Sequence, residues 1–441
     1  MRSDQQQAIN RLAGTSATAF LCAVLCVYPL YIDKFSNLGV TKFTGCFTLF
    51  LLFLLWLVAC TAIGARAPRP RNANAGRDVT LWGVLAFAGT SLISTFTSLS
   101  PTASTWGLGG YYGGLMLVLF TAAGYWAVRS YLDLENLDFV FWVLGITTSI
   151  VAVLYVLNIF NIDLIGAYAD TAVVERAQFF STLGQKDFNG CFFSVALPIV
   201  FYQFLNAKDT RTAVWTGIPA AFGALALAVV DSEALALGIG AAVMVLVCHK
   251  NFTTRHLRRA ALISAAFFGW AAWMHYMRAS VYTQGGTALL AKLGAWQVAL
   301  PCMAASLLLW LGLFVLARKG IAAQAPLYLP GRVITIAVLA VGALAFVLAN
   351  AMPNLPLPES LHNLLVFNDD WGTYRGVAWR AAFGTWADGS LLRKIVGIGP
   401  GMMHTAVAAW AGDAMTARMA TFYAAHNEYL EQLLTTGILG L

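Results

Sequence analysis

Apolar runs of about twenty residues recur along nearly the whole chain, and this pattern restricts the fold more than any other feature of the sequence. A helix of that length crosses a hydrocarbon core of about 30 Å. In lipid, each backbone amide and carbonyl must find its partner within the protein, so the runs are read as helices. Hydrophobic residues make up 59% of the 441 positions and charged residues only 11%, which excludes an ordinary soluble domain. Predicted spans begin near Gly14, Phe43, Val79, Leu108, Phe139, Asp187, Ala213, Ala234, Ala260, Leu293 and Val333, and a twelfth begins at His426. The expected fold class is all-α: a polytopic transmembrane helical bundle of about 12 spans. Residues 1–351 read as the membrane domain, 352–425 as a long extracytoplasmic loop with short amphipathic helices, and 426–441 as the start of a further span. The first apolar run has no small-residue cleavage site and reads as an anchor. The last run stops after about 16 residues, barely enough to cross, so the chain reads as truncated at its C-terminus.

Charge sets the expected orientation. One alternating set of loops holds sixteen basic residues between Arg2 and Arg332, including four arginines in a linker at 65–77; the short loops of the other set hold only Lys34, Lys42, Arg176, Lys186, Arg278 and Lys292. By the positive-inside rule the N-terminus is cytoplasmic and the 352–425 loop lies outside. This bias explains the net charge of +7, so nucleic acid is not an expected partner. The seven cysteines sit in or beside apolar runs without metal-ligand spacing and read as small packing residues.

Nearly all the chemistry lies in the long loop. Pro353, Pro356 and Pro358 open it in extended form, and Asn368 to Gly372 reads as a turn. Thr373 is positioned to cap a helix ending near Asp388. On that helix Trp379, Ala382, Phe383 and Trp386 form an apolar face suited to the membrane interface. Gly397, Gly399, Pro400 and Gly401 make a tight turn, and a second short helix is expected over 414–424. His426 stands where polar loop meets apolar run. An imidazole there can take a proton from a hydroxyl, or simply cap the helix start. Arg375 and Arg380 owe nothing to topology, and a guanidinium fork suits a pyrophosphate; headgroup snorkelling is the plain alternative. Arg393, Lys394 and Arg418 read as solvated or headgroup-bound. Arg176 and Lys186 flank another outer loop as candidate substrate ligands, with pairing to Glu175 and Asp187 as the alternative. Asp231-Ser232-Glu233 reads as either an acid site carrying Glu233 or a polar turn. Asp369-Asp370 has no acidic or histidine companions at ligand spacing, so no metal or other cofactor is expected. His249, His256 and His275 read as structural, and His362 and His404 as minor candidates.

Four segments carry a family resemblance: Ser181 to Gly190 entering a span; Asp231-Ser232-Glu233; Trp371 to Trp379 with Val396 to Gly401; and Ala425 to Leu430 running on to Leu441. Together they resemble the O-antigen ligase and polymerase family, with the best fit to its Gram-positive-style members. The resemblance covers the chain from about residue 176 onward. It implies a metal-independent, inverting glycosyltransferase of the cytoplasmic (inner) membrane, acting at its outer face. The implied donor is an undecaprenyl-pyrophosphate-linked glycan, the acceptor a hydroxyl on a lipid or a glycan, and the setting envelope polysaccharide biosynthesis. By motif position Arg375 and His426 match the family's essential arginine and histidine, and Arg176 an upstream outer-loop arginine. Gln185-Lys186-Asp187 departs from the asparagine pair found in many members. A lipid-linked glycan flippase or transporter, which would be expected to carry charges within its spans, and a non-catalytic scaffold are the alternatives.

Overall fold

The computed structural model describes residues 2–64, 79–108, 110–230, 232–280, 293–321, 324–352, 355–416 and 422–441. Most of the arginine-rich linker, Asp231, Lys292, Pro353 and Arg418 lie outside the described residues. In chain order the helices are α1 (Arg2–Leu30), α2 (Leu38–Ala62), α3 (Val79–Phe96), α4 (Pro101–Trp106), α5 (Leu115–Tyr131), α6 (Leu137–Ile159), α7 (Lys186–Asn206), α8 (Thr210–Val229) and α9 (Glu233–Cys248). They continue with α10 (Thr254–Ser280), α11 (Trp296–Arg318), α12 (Tyr328–Ala351), α13 (Glu359–Leu365), α14 (Trp371–Ala387), α15 (Leu391–Val396), α16 (Met403–Thr416), α17 (Glu428–Thr435) and α18 (Gly437–Gly440). Among the described residues β pairing is limited to two isolated bridges.

Among the described residues eight helices, α1, α2, α3, α6, α7, α8, α11 and α12, are long and apolar enough to cross a membrane. The architecture is therefore that of an all-helical, multi-pass membrane protein. The other expected spans differ for physical reasons. α5 and α9 have 17 and 16 residues. α10 has 27, but Arg255, Arg258 and Arg259 crowd its first two turns. The run from His426 is divided into α17, of eight residues, and α18, of four. The division falls at Thr436, ahead of Gly437 with φ of +70°.

The chain forms two compact units. One comprises Thr18–Leu49 and Asp133–Val338. Its core packs Val151, Tyr155 and Ile159 of α6 with Phe193 and Leu197 of α7 and Val229 of α8. Arg259 at the start of α10 donates through Nη1 to the carbonyls of Phe204, Leu205 and Ala207 at 3.0, 2.9 and 2.7 Å. These are end carbonyls of α7, which have no partner within their own helix and attract a cation. This arginine therefore has a structural task as well as its place in the charge pattern.

The same unit shows what the Ser181 to Gly190 segment does locally. Phe180 and Gly184 exchange backbone hydrogen bonds of 2.9 and 3.1 Å, closing a tight loop. Asn189, fully buried, donates from Nδ2 to the carbonyls of Phe180, Gly184 and Gln185, each at 3.1 Å. Its Oδ1 accepts from Ser181 Oγ at 2.6 Å. The Ser181 amide donates to Asn158 Oδ1 at 2.7 Å, and Thr182 Oγ1 donates to the Pro29 carbonyl at 2.5 Å. Lys42, expected in an outer loop, is buried in α2, where its ammonium donates to the Tyr28 and Pro29 carbonyls at 2.6 and 2.9 Å. Buried polar groups must be paired, and this network pairs each of them with protein.

The other unit comprises Met1–Ala17, Phe50–Leu132 and Leu339–Leu441. Its α14 differs from expectation at its start. Gly372, Thr373 and Tyr374 take left-handed backbone angles, so regular helix begins at Arg375 and Thr373 is not its cap. The buried face is Val377, Ala378, Ala381 and Ala382, and it meets Met403, Ala406 and Val407 of α16. These small side chains allow close helix approach, which the bulky indoles could not. Of the aromatic face read from the sequence, Phe383 stays exposed and Ala382 is buried. α13 was not anticipated, and α16 overlaps the start of the short helix expected over 414–424, of which 417–421 lie outside the described residues.

Replacing Asn189 by alanine removes the side-chain partner of three carbonyls and one hydroxyl at a dry site. A loss of about 2 kcal/mol or more is expected, read as a lower unfolding midpoint in detergent. An unchanged midpoint would show that the 180–185 loop does not depend on this residue.

Candidate functional site

The candidate site is built where two glycine-rich segments of the loop-containing unit meet. The Ile398 amide donates to the Leu434 carbonyl at 3.1 Å and the Gly399 amide to the Thr435 carbonyl at 2.9 Å. Ser94 Oγ of α3 also donates to the Thr435 carbonyl, at 2.5 Å. Side chains have no room here. A Cβ at Gly397 would lie 2.2 Å from the Thr435 carbonyl oxygen, and one at Gly437 would lie 2.3 Å from that of Ile395. Both glycines also have positive φ, which other residues adopt only at a cost. The two glycine-bearing motifs noted in the sequence thus form one main-chain joint.

That joint holds α17, and α17 in turn holds the turn before it. Asn427 caps the helix, its Oδ1 accepting from the Tyr429 and Leu430 amides at 3.1 and 3.3 Å. Ala425 is fixed at both of its polar atoms. Its amide donates to Glu431 Oε2 at 2.7 Å, and its carbonyl accepts from Trp379 Nε1 at 2.9 Å. His426 follows directly with φ of +51°. A left-handed residue other than glycine costs about 1–3 kcal/mol and persists only where its surroundings impose it. The imidazole is exposed and meets Phe422 edge to face, with ring centroids 6.0 Å apart.

Arg375 lies four residues before Trp379 on α14, hence on the same helix face, one turn away. That face is the one bonded to the backbone next to His426. The Arg375 side chain is partly buried and runs beside Gly372, where an added Cβ would lie 3.5 Å from Arg375 Cδ. Arg380 points elsewhere and is engaged by the Asp369 carboxylate. Trp371, Trp379 and Phe367 form an aromatic cluster behind this face, with the two indole centroids 5.0 Å apart. His404 donates from Nδ1 to the Phe422 carbonyl at 3.1 Å and stacks on Tyr423 at 4.5 Å. His362 is exposed on α13.

Arg176, Lys186 and Glu233 belong to the other unit. The Arg176 guanidinium lies over the Tyr168 ring at 5.6 Å, and its Nε donates to the Thr171 carbonyl at 3.5 Å. Tyr168 is buried, its hydroxyl donates to the Phe179 carbonyl, and burial pushes the pKa of that hydroxyl up, with Asp163 adding to the rise. Lys186 opens α7 and Glu233 opens α9, both exposed. Their neighbours are joined: Ser232 Oγ donates to Asp187 Oδ1 at 2.9 Å. Gly190 makes this possible, since a Cβ there would lie 2.2 Å from Ser232 Oγ. Among the described residues no group of three or more His, Cys, Asp or Glu side chains is gathered as for a metal ion.

Glu431 is the residue that sequence reading missed. Burial pushes its carboxyl up to about 7; the nearby Glu428 adds to the rise and the Ala425 amide opposes it. No local pattern marks it, because its shift comes from burial in the fold. Trp379 was noted for its apolar ring, whereas here its indole N–H does the positioning.

No protein-family model matches this chain, and neither a curated protein nor a solved structure matches it.

The Glu431 shift carries a sign. With its folded value raised above the ordinary 4.5, its contribution is fully present below pH 4.5 and is lost as pH rises toward 7. Stability should fall by about 3 kcal/mol across that window. Glu431→Gln keeps an acceptor for the Ala425 amide and should flatten this slope, measured as unfolding midpoint against pH in detergent. An equal slope in the variant would assign the pH dependence to other groups.

Proposed function

We propose that the protein transfers a glycan from undecaprenyl pyrophosphate to an acceptor hydroxyl on a lipid or a growing glycan, at the outer face of the cytoplasmic membrane. The observation that supports this best is the bond from Trp379 to the Ala425 carbonyl, which ties the Arg375 face of α14 to the His426 turn. A strained, exposed imidazole and a guanidinium on the adjoining helix face are what such a transfer needs. In this reading the 352–425 loop is extracytoplasmic, the N-terminus cytoplasmic, and the span count about twelve.

His426 accepts the proton of the acceptor hydroxyl as general base. The acceptor oxygen attacks the anomeric carbon from the side opposite the leaving group, and the bond from that carbon to the phosphate oxygen breaks. The electron pair leaves with undecaprenyl pyrophosphate, and the anomeric configuration inverts. Arg375 offsets the charge developing on the phosphates, and its effect grows where water is excluded. Pyrophosphate is a good leaving group, so the reaction requires no strong general acid. Arg380 is a secondary substrate ligand in this scheme. Arg380 must first part from Asp369.

A translocator of lipid-linked glycans is the second reading, and one observation favours it: Lys42 is a charge inside a span. Its ammonium is, however, already committed to two carbonyls, which suits a structural role better than a transport path.

Transfer from extracted undecaprenyl-pyrophosphate glycan, with EDTA present, tests the proposal on the full-length protein. His426→Ala and Arg375→Ala, folded and inserted, are each expected to lower kcat by roughly 100-fold or more. Wild-type rates in both variants would remove the assigned roles, and an inactive wild type would favour translocation. Product length separates polymerase from ligase.

A further inference from the structure

A second concave site lies on the same unit, a cavity of about 390 Å³ between the C-terminal part of α14, α15 and α16. That size is within the range of small-ligand pockets. Its walls include the indoles of Trp386 and Trp410, with Ile398 in the apolar floor. Trp410 lies flat against Gly384, where a Cβ would be 2.2 Å from the ring. Its Nε1 donates to Asp388 Oδ2 at 2.8 Å, which fixes that carboxylate at the rim. Arg393 and Thr405 also line the cavity, and neither the guanidinium nor the hydroxyl has a protein partner among the described residues. Indole faces beside a fixed carboxylate, a guanidinium and a hydroxyl match one chemical class well: a pyranose ring. Its C–H face packs on an aromatic ring, and its hydroxyls need both donors and acceptors.

The placement fits as well. Arg375, Trp379 and Trp386 fall at i, i+4 and i+11 on α14, on one face of the helix. Eleven residues of helix carry the cavity roughly 16 Å along the axis from Arg375. A glycan whose pyrophosphate end lies at Arg375 reaches Trp386 only through several sugar units. We propose that this cavity is a subsite for a pyranose ring of the glycan, remote from the bond that is broken. The inference rests on the glycan-transfer reading above and adds to it a recognition element for chain length. Binding energy gained there holds the glycan in register at the reacting end.

The test uses the full chain in nanodiscs and two donors, one with a single sugar on undecaprenyl pyrophosphate and one with an oligosaccharide of several sugars. The ratio of kcat/KM for the longer donor to that for the shorter is expected to fall about tenfold in Arg393→Ala and in Asp388→Asn, as hydrogen bonds to charged groups are lost. Asp388→Asn keeps an acceptor for Trp410, so the wall should stay in place. His426→Ala should lower both donors together and leave the ratio unchanged where it can be measured. An unchanged ratio in both cavity variants overturns the subsite while leaving the transfer reading intact. If the wild type transfers neither donor, the transfer reading fails, and the cavity is decided by saturation-transfer NMR. The probe is the free oligosaccharide released from the longer donor by mild acid. Signal in the wild type that is lost in Arg393→Ala supports the subsite, and absence of signal in the wild type overturns it.

Discussion

The candidate site depends on a joint made of main chain. Two amides of the 397–401 turn bond to two carbonyls at the end of α17, and a serine of α3 adds a third bond to the same place. Without these bonds α17 has little reason to stay where it is, since it is only eight residues long. The joint fixes α17, α17 presents Asn427 and Glu431, and these fix the turn that carries His426. The order of dependence runs from backbone to cap to catalytic candidate.

A similar economy governs the other unit. One asparagine, Asn189, adds a side-chain hydrogen bond to three carbonyls of a tight loop, and a serine hydroxyl completes it. One arginine, Arg259, does the same for the end of α7. In an apolar protein with so few charges, these polar side chains drawn inside each answer a specific backbone need. This is why Lys42 is found inside α2 rather than in a loop: the end of α1 offers two carbonyls and no water.

Helicity and membrane character were legible because they follow from composition and run length, which survive any detail of packing. The glycine turn at 397–401 was legible because its residue types leave few backbone choices. The small-residue packing face of α14 was not read because large aromatics dominate a periodicity count, whereas close packing selected Ala378, Ala381 and Ala382. The start of α14 was misread because Thr373 looks like a cap, while the chain there winds left-handed for three residues. Of the site residues, His426 and Arg375 stood out by type and position. Glu431 did not, since its value depends on burial that no local sequence pattern reveals. Lys186 and Glu233 were grouped with them by charge and Arg176 also by motif position, and the fold assigns those three to the other unit.

The joint between the 397–401 turn and α17 has one more implication, for how such a protein can change over generations. Its bonds are made by amides and carbonyls that every residue except proline possesses, and Ile438 and Leu439 beside it are exposed. Substitution can therefore rewrite most letters of this region while the architecture around His426 stays put. Glycines 397 and 437 are the exception, for each leaves the space that the opposing main chain occupies. A distant descendant could retain the machinery and carry little more than two glycines as its visible signature.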